Sequence, residues 1–207
     1  MTGIGAVLLG YLLGSVPFSV WLGKWWFHKD VRQFGSGNPG ATNALRVFGP
    51  SFGLLVFLLD ALKGWLPLWL ILNFLNEAVA LEWIGISAVL GHMFSVFLGF
   101  KGGKGAATSL GVLSFFHWGW FVVAIVLFGV GYGLQRRVSL GTLLAGLCVS
   151  IGMWLPLPLW WNQLPWVRPF NPFLGLYLMI LILLAHHSNI RRLIQKQEPK
   201  TFWRKQF

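Results

Sequence analysis

The sequence predicts an all-α, polytopic integral membrane protein of about seven helices, and three observations predict it. Hydrophobic residues make up 56% of the 207 positions and charged residues only 10%, whereas a soluble domain carries about a quarter charged residues. Several apolar stretches approach the roughly 20 residues that cross a hydrocarbon core. Basic residues collect in alternate connectors, as they do in chains that weave through a bilayer.

The spans follow in order. Segment 3–22 is apolar and leads into the charged stretch Lys24 to Arg32. It lacks the basic start and small-residue cleavage site of a signal peptide, so it reads as a retained first span. A Gly-rich polar stretch, 35–49, precedes the second span at 50–72. A polar connector, 73–83, leads to the third span at 84–99, which ends in Lys101-Gly102-Gly103-Lys104-Gly105. A shorter helix at about 105–117 returns, and 119–134 crosses back to Arg136-Arg137. Segment 139–160 crosses towards a Pro/Trp-rich connector, 161–171. The last span, about 172–187, runs into a basic tail. The whole chain, 1–207, reads as one membrane-embedded domain.

Alternating spans put Lys24, Lys29, Arg32, Arg46, Lys101, Lys104, Arg136, Arg137 and the tail cations on one side, against Arg168 on the other. The positive-inside rule makes that side cytoplasmic and places the N-terminus outside and the C-terminus inside. Trp25, Trp26, Trp83, Trp118, Trp160, Trp161 and Trp166 fall near span ends, where indole rings prefer the interface. Gly10-x-x-x-Gly14 and Gly129-x-x-x-Gly133 suit close helix approach. Asp60 and Lys63 stand three apart inside the second span, a spacing for an ion pair where single charges are costly.

The net charge is +11 with five acidic residues, a balance that fits nucleic acid, anionic lipid or anionic substrate. Basic residues set between apolar spans exclude an extended nucleic-acid face. The single Cys148 allows no intrachain disulfide, and no carboxylate cluster suits a metal. The expectation is therefore no metal and no cofactor.

Three stretches carry chemistry. In Gly35-Ser36-Gly37-Asn38-Pro39-Gly40-Ala41-Thr42-Asn43-Ala44-Leu45-Arg46, the glycines let consecutive amides form an anion nest. Ser36, Thr42 and Asn43 add donors, Arg46 adds a cation suited to phosphate, and a helix starting near Thr42 or Asn43 favours an anion at its N-terminus. An ordinary capped interhelical loop is the plainer alternative. In Phe100-Lys101-Gly102-Gly103-Lys104-Gly105, two lysines among glycines describe a second phosphate cradle, although neither is followed by Ser or Thr as a Walker A lysine would be. Flexible-turn lysines are the alternative here, and nearby His92 reads equally as a structural group or a ligand contact. In His186-His187-Ser188-Asn189-Ile190-Arg191-Arg192, a continuing helix would put His186 and Asn189 on one face. Ser139, after Arg136-Arg137, reads as a ligand contact or a helix cap.

At these residues the chain resembles the bacterial acyl-phosphate:glycerol-3-phosphate acyltransferases, the PlsY family, over nearly its whole length. The likeness rests on Gly35–Asn43, on Phe100–Thr108 and on His186-x-x-Asn189-Ile190. It implies transfer of an acyl group from acyl phosphate to the 1-hydroxyl of glycerol 3-phosphate, giving 1-acylglycerol 3-phosphate and phosphate at the cytoplasmic face of a bacterial inner membrane. Ser36, Asn38, Gly40, Thr42 and Asn43 would then hold the acyl phosphate head, within a loop that includes Gly37. Arg46, Lys104, Ser139, His186 and Asn189 would surround glycerol 3-phosphate, beside Lys101, Gly102 and Gly103. The catalytic set that the resemblance implies is Ser36, Arg46, Lys104, His186 and Asn189. The family often has Arg where His187 stands, which leaves that Arg's role unfilled. The His-x-x-x-x-Asp motif of thioester-using glycerol-phosphate acyltransferases is absent: none of the five histidines has Asp at the fifth following position. Partners are the two substrates and membrane lipid, with no nucleic acid; the sequence identifies no protein partner.

A transporter of phosphorylated metabolites would need access from both sides and a polar midplane site, whereas the polarity here is one-sided. A structural scaffold would not need two Gly-rich cationic loops.

Overall fold

The computed structural model describes residues 3–75, 80–155 and 171–201, and every regular element among them is helical. α1 (Gly3–Ser15) and α2 (Phe18–Phe27) form one apolar rod broken at Pro17, because proline has no N–H to continue the ladder and disfavours helix in the residue before it. α3 (Ala41–Phe48) is short and amphipathic. α4 (Pro50–Leu70) starts on a proline, the residue whose missing N–H costs nothing at that position. α5 (Leu81–Met93), α6 (Ala106–Phe116), α7 (Trp118–Gln135) and α8 (Val138–Gly152) follow, then α9 (Phe173–Ala185) and α10 (His187–Ile194).

The seven expected apolar segments are all helical where they are described, but they are not equal. Gly3–Phe27, Pro50–Phe74, Leu81–Leu98 and Trp118–Gln135 are long and apolar enough to cross a bilayer, and α9 with α10 makes a fifth candidate bent by 67°. α6 has 11 residues and α8 has 15. At about 1.5 Å per residue they are about 17 and 23 Å long, against a core of roughly 30 Å. The last expected span ends at Ala185 rather than 187. Trp160, Trp161, Trp166 and the end of segment 139–160 lie outside the described residues.

Among the described residues, apolar side chains line the outside of the helices, and polar ones are buried beside an apolar core. Ile4, Leu8 and Leu12 on α1, Leu54, Leu58 and Leu62 on α4, and Val122, Val126 and Val130 on α7 recur every fourth residue and are exposed. A water-soluble helix places that stripe inward, so these stripes face lipid. Inside, Asp60, Lys63, His92, Thr108 and Ser139 are buried. Ala6, Leu68, Ile84, Val112 and Leu174 pack where α1, α4, α5, α6 and α9 meet.

Lipid offers no hydrophobic drive between helices, so close backbone contact must hold them. α1 packs on α5 through Gly10 and Gly14: a Cβ on Gly14 would stand 2.0 Å from the Ala88 carbonyl oxygen. The second small-residue pair does not behave this way. Gly129 and Gly133 face open space, and the α7–α8 approach instead uses Gly131 against Gly141. The Asp60–Lys63 pair forms as expected, at 2.8 Å and buried.

Alternation of direction brings the C-terminal ends of α5, α7 and α9 and the N-terminal ends of α6 and α8 to one end of the bundle. The three motif stretches are connectors at that end.

Candidate active site

The first loop is built by its own side chains. Asp30 accepts from the Arg32 amide and guanidinium and pairs with Lys24. The Arg32 hydrogen bond holds its carboxyl well below the usual carboxylate range. Gly35 and Gly37 adopt left-handed backbone (φ +60° and +71°), which costs glycine little. Asn43 then ties the loop to α3. Its Oδ1 accepts the Ser36 N–H at 2.8 Å, and its Nδ2 donates to the carbonyls of Val31 and Phe34 at 2.9 and 3.0 Å. Asn43 is buried, and its amide is engaged on both sides. In this structure Asn43 therefore holds the loop in shape. Gly40 is the N-cap of α3, and no side chain caps that end, so the first amides of the helix, at Ala41 and Thr42, are oriented for an anion. Ser36 is exposed, and Asn38 and Thr42 are half-buried beside it. The helix begins at Ala41, one residue before the expected start.

In the second loop, the Gly102 and Gly103 amides donate to the Met93 and His92 carbonyls at 2.9 and 3.0 Å. These are carbonyls at the open end of α5. The two amides therefore cap a helix, and the loop turns Lys104 towards Asn189. Lys101 remains exposed.

The third stretch breaks where a continuous helix was expected. α9 ends at Ala185 with His186 as its cap, and α10 leaves at 67°. The bend, not a shared helical face, brings His186 and Asn189 inward, and both are buried. The His186 Nδ1 lies 2.9 Å from the Ile182 carbonyl. A carbonyl only accepts, so Nδ1 carries the proton and Nε2 presents a lone pair. His187 bonds the Leu184 carbonyl at 3.0 Å on the exposed side.

One residue outside the three motif stretches organises the cluster. Glu198 Oε1 accepts from Ser139 Oγ at 2.8 Å and from Asn189 Nδ2 at 2.6 Å, and Oε2 accepts from Arg192 Nε at 2.7 Å. Asn189 Oδ1 in turn accepts from Lys104 Nζ. The tail is fastened beyond it: Arg137 Nε donates to the Glu198 carbonyl at 2.8 Å, and Thr201 accepts from Arg46 Nη2 at 3.2 Å. Ser139 is in the first turn of α8 but is not its cap, which is Arg137. The signal was available, because Glu198 is a lone acid among the cations of a basic tail.

Arg46, Lys104, Ser139, His186 and Asn189 thus meet, with Arg192 and Glu198 among them. Burial lowers Lys104 to about 8, opposed by Glu198 and assisted by Arg192 and Arg46. Burial also lowers Arg46 from its ordinary value, though a guanidinium stays charged. Burial pushes the Glu198 carboxyl up, but hydrogen bonds from Arg192, Asn189 and Ser139 outweigh it and leave the group below its ordinary range. The result is three cations around one carboxylate, with a neutral imidazole and an amide: a setting for a phosphate-bearing molecule with a hydroxyl to position. Among the described residues, no group of three His, Cys, Asp or Glu side chains is placed to hold a metal.

A helical bundle with lipid-facing apolar stripes and a cationic cluster at one end defines a membrane-embedded protein acting on anionic molecules. A family model described as glycerol-3-phosphate acyltransferase matches residues 4–196, and the chain belongs to that family. It is 42% identical over 204 residues to a glycerol-3-phosphate acyltransferase of Anaeromyxobacter dehalogenans, covering 95% of this chain and 97% of that one. It is 38% identical over 210 residues to that of Staphylococcus saprophyticus, covering 95% and 96%. The fold superimposes on crystal structures of PlsY, an integral membrane glycerol 3-phosphate acyltransferase. The glycerol 3-phosphate form gives a TM-score of 0.81 at 34% identity, and the lysophosphatidic acid form 0.79 at 33%; each covers 96% of this chain and 94% of that one.

Proposed function

We propose that this protein transfers an acyl group from acyl phosphate to the 1-hydroxyl of glycerol 3-phosphate, giving 1-acylglycerol 3-phosphate and inorganic phosphate. The observation that carries the reading is the convergence of Arg46, Lys104, Ser139, His186 and Asn189 at one end of an integral membrane bundle. Family membership supports the acylation of glycerol 3-phosphate.

Acyl phosphate is an activated mixed anhydride. The 1-hydroxyl oxygen attacks the carbonyl carbon, the carbon–oxygen bond to phosphate breaks, and the hydroxyl proton leaves on the departing phosphate. Little acid assistance is needed, so positioning and charge stabilisation supply the rate. The α3 N-terminus with Ser36, Asn38, Gly40 and Thr42 receives the donor phosphate. Arg46 and Lys104 hold the acceptor phosphate, and His186 Nε2 with Asn189 orients the hydroxyl. The acyl chain stays in lipid or between helices.

The apolar stretches support seven membrane segments in a single domain, and the basic-residue asymmetry supports an N-terminus outside and a site facing the cytoplasm of a bacterial inner membrane. The donor is tested by supplying purified protein with labelled glycerol 3-phosphate and either palmitoyl phosphate or palmitoyl-CoA. Product from the phosphate alone is expected. Robust turnover with the thioester and none with acyl phosphate would overturn the donor assignment.

A further inference from the structure

Asp60 sits ten residues into α4, about 15 Å along it, among groups that the chemistry above does not use. Its Oδ1 lies 2.8 Å from Lys63 Nζ, which also donates to the Val16 carbonyl at 2.7 Å, at the break between α1 and α2. If the pair served only to close that break, Asp60 would need nothing more. Its Oδ1 also stands 3.7 Å from His92 Nδ1, a buried nitrogen with no hydrogen-bond partner among the described residues. The opposite edge of the same ring meets the second glycine loop. A Cβ on Gly103 would stand 2.2 Å from His92 Nε2, and the Gly103 N–H bonds the His92 carbonyl at 3.0 Å. The residue after Gly103 is Lys104, whose Nζ reaches Asn189. A buried carboxylate, an imidazole, a glycine with no room for a side chain and the Lys104 cation therefore follow one another as neighbours.

We propose that Asp60 is a positioning residue for the reaction: through the His92 ring it sets where Gly103, and hence Lys104, stands against Asn189. Its carboxylate favours the tautomer with a proton on Nδ1 and orients the ring, and the ring is the floor on which Gly103 rests. Lys63 neutralises the carboxylate inside the bilayer. The inference rests on the proposed assignment of Lys104 to glycerol 3-phosphate, and it makes a selective claim: disturbing Asp60 harms acceptor saturation and spares the donor.

The test measures Asp60→Asn, His92→Gln and the doubly neutral Asp60→Asn/Lys63→Met in full-length protein. Each has its KM for both substrates determined and its amide exchange followed by mass spectrometry. The expected result is at least a fivefold rise in KM for glycerol 3-phosphate, with KM for palmitoyl phosphate within twofold, and faster exchange confined to 102–104. A further variant, Asp60→Asn/His92→Gln, should show less than the product of the two single effects, since both act through one ring. The Asp60→Asn/Lys63→Met variant separates the alternatives. If Asp60 only balances Lys63, removing both charges restores the wild-type KM and overturns the proposal; if it holds the ring, the defect persists. Wild-type kinetics in Asp60→Asn, or exchange raised along the whole chain with both KM values unchanged, would also overturn it. So would failure of all three variants to fold. A wild-type protein that makes no lysophosphatidate would refute the proposed reaction instead, and the exchange pattern would still decide the role of Asp60.

Discussion

Removing the Glu198 carboxylate should loosen the site and the tail together. The Glu198 side chain accepts three bonds, from Ser139, Asn189 and Arg192, and the cations Arg46 and Lys104 sense its charge. A hydrogen bond to a charged group contributes about 1.5–3 kcal/mol. The Arg192 side chain is 41% exposed, so solvent screens that bond to about 1 kcal/mol or less. Glu198→Ala should then cost about 3–7 kcal/mol, a loss of at least about 6 °C in Tm for a chain of this size. It should also raise KM for glycerol 3-phosphate, since Asn189 and Lys104 lose their brace. Glu198→Gln keeps an acceptor without the charge and should fall between. The carboxyl lies below its ordinary range in the folded protein, so its contribution is present above about pH 4.5 and is lost as pH falls below that; Glu198→Gln should flatten the acid limb of Tm. Thermal unfolding in detergent across pH 3–8, alongside acceptor kinetics, makes the measurement. An alanine variant with wild-type Tm and KM would refute the view that Glu198 organises the cluster.

Lys104, lowered to about 8, carries its charge below that pH and loses it above, so kcat/KM for glycerol 3-phosphate should fall as pH rises through about 8. Lys104→Arg should move that limb upward, and an unmoved limb would assign it to another group. His186→Gln, which keeps hydrogen bonding without basicity, should retain substantial kcat. If it abolishes turnover with acceptor binding intact, and removes an ionisation present in the wild type, His186 is the base. In a Cys148-free background, cysteines at positions 38 and 102 should label from the cytoplasmic face; labelling only from outside would sink the topology and the site's orientation alike.

Much of the fold was legible because lipid imposes simple rules. Apolar runs, their spacing and the side on which the cations fall mark the helices without any partner contact. What the sequence hid was pairwise: Gly131 rather than Gly129 or Gly133 makes the α7–α8 approach, and only packing can say so. At the site, the residues that carry charge were readable by type, and Arg46, Lys104, Ser139, His186 and Asn189 do meet. Their supports were not. Asn43, Gly102 and Gly103 look like phosphate donors in a string, yet their amides answer nearby carbonyls and, for Asn43, the Ser36 N–H as well. The bend at His186 replaces a helical face that periodicity alone predicts. Glu198 reaches Ser139 across 59 positions of chain, and its lone negative charge in a basic tail was the one available sign.

The most direct test is a product balance. Purified protein in nanodiscs receives labelled glycerol 3-phosphate and palmitoyl phosphate, and labelled lysophosphatidate and inorganic phosphate are counted in the same samples, beside Lys104→Ala. The two products should appear one for one. The variant should lose about 10- to 100-fold in kcat/KM for the acceptor, the size of one charge-assisted contact to phosphate. No lysophosphatidate from the wild type, or equal product from Lys104→Ala, would contradict the assignment of this cluster to acyl transfer.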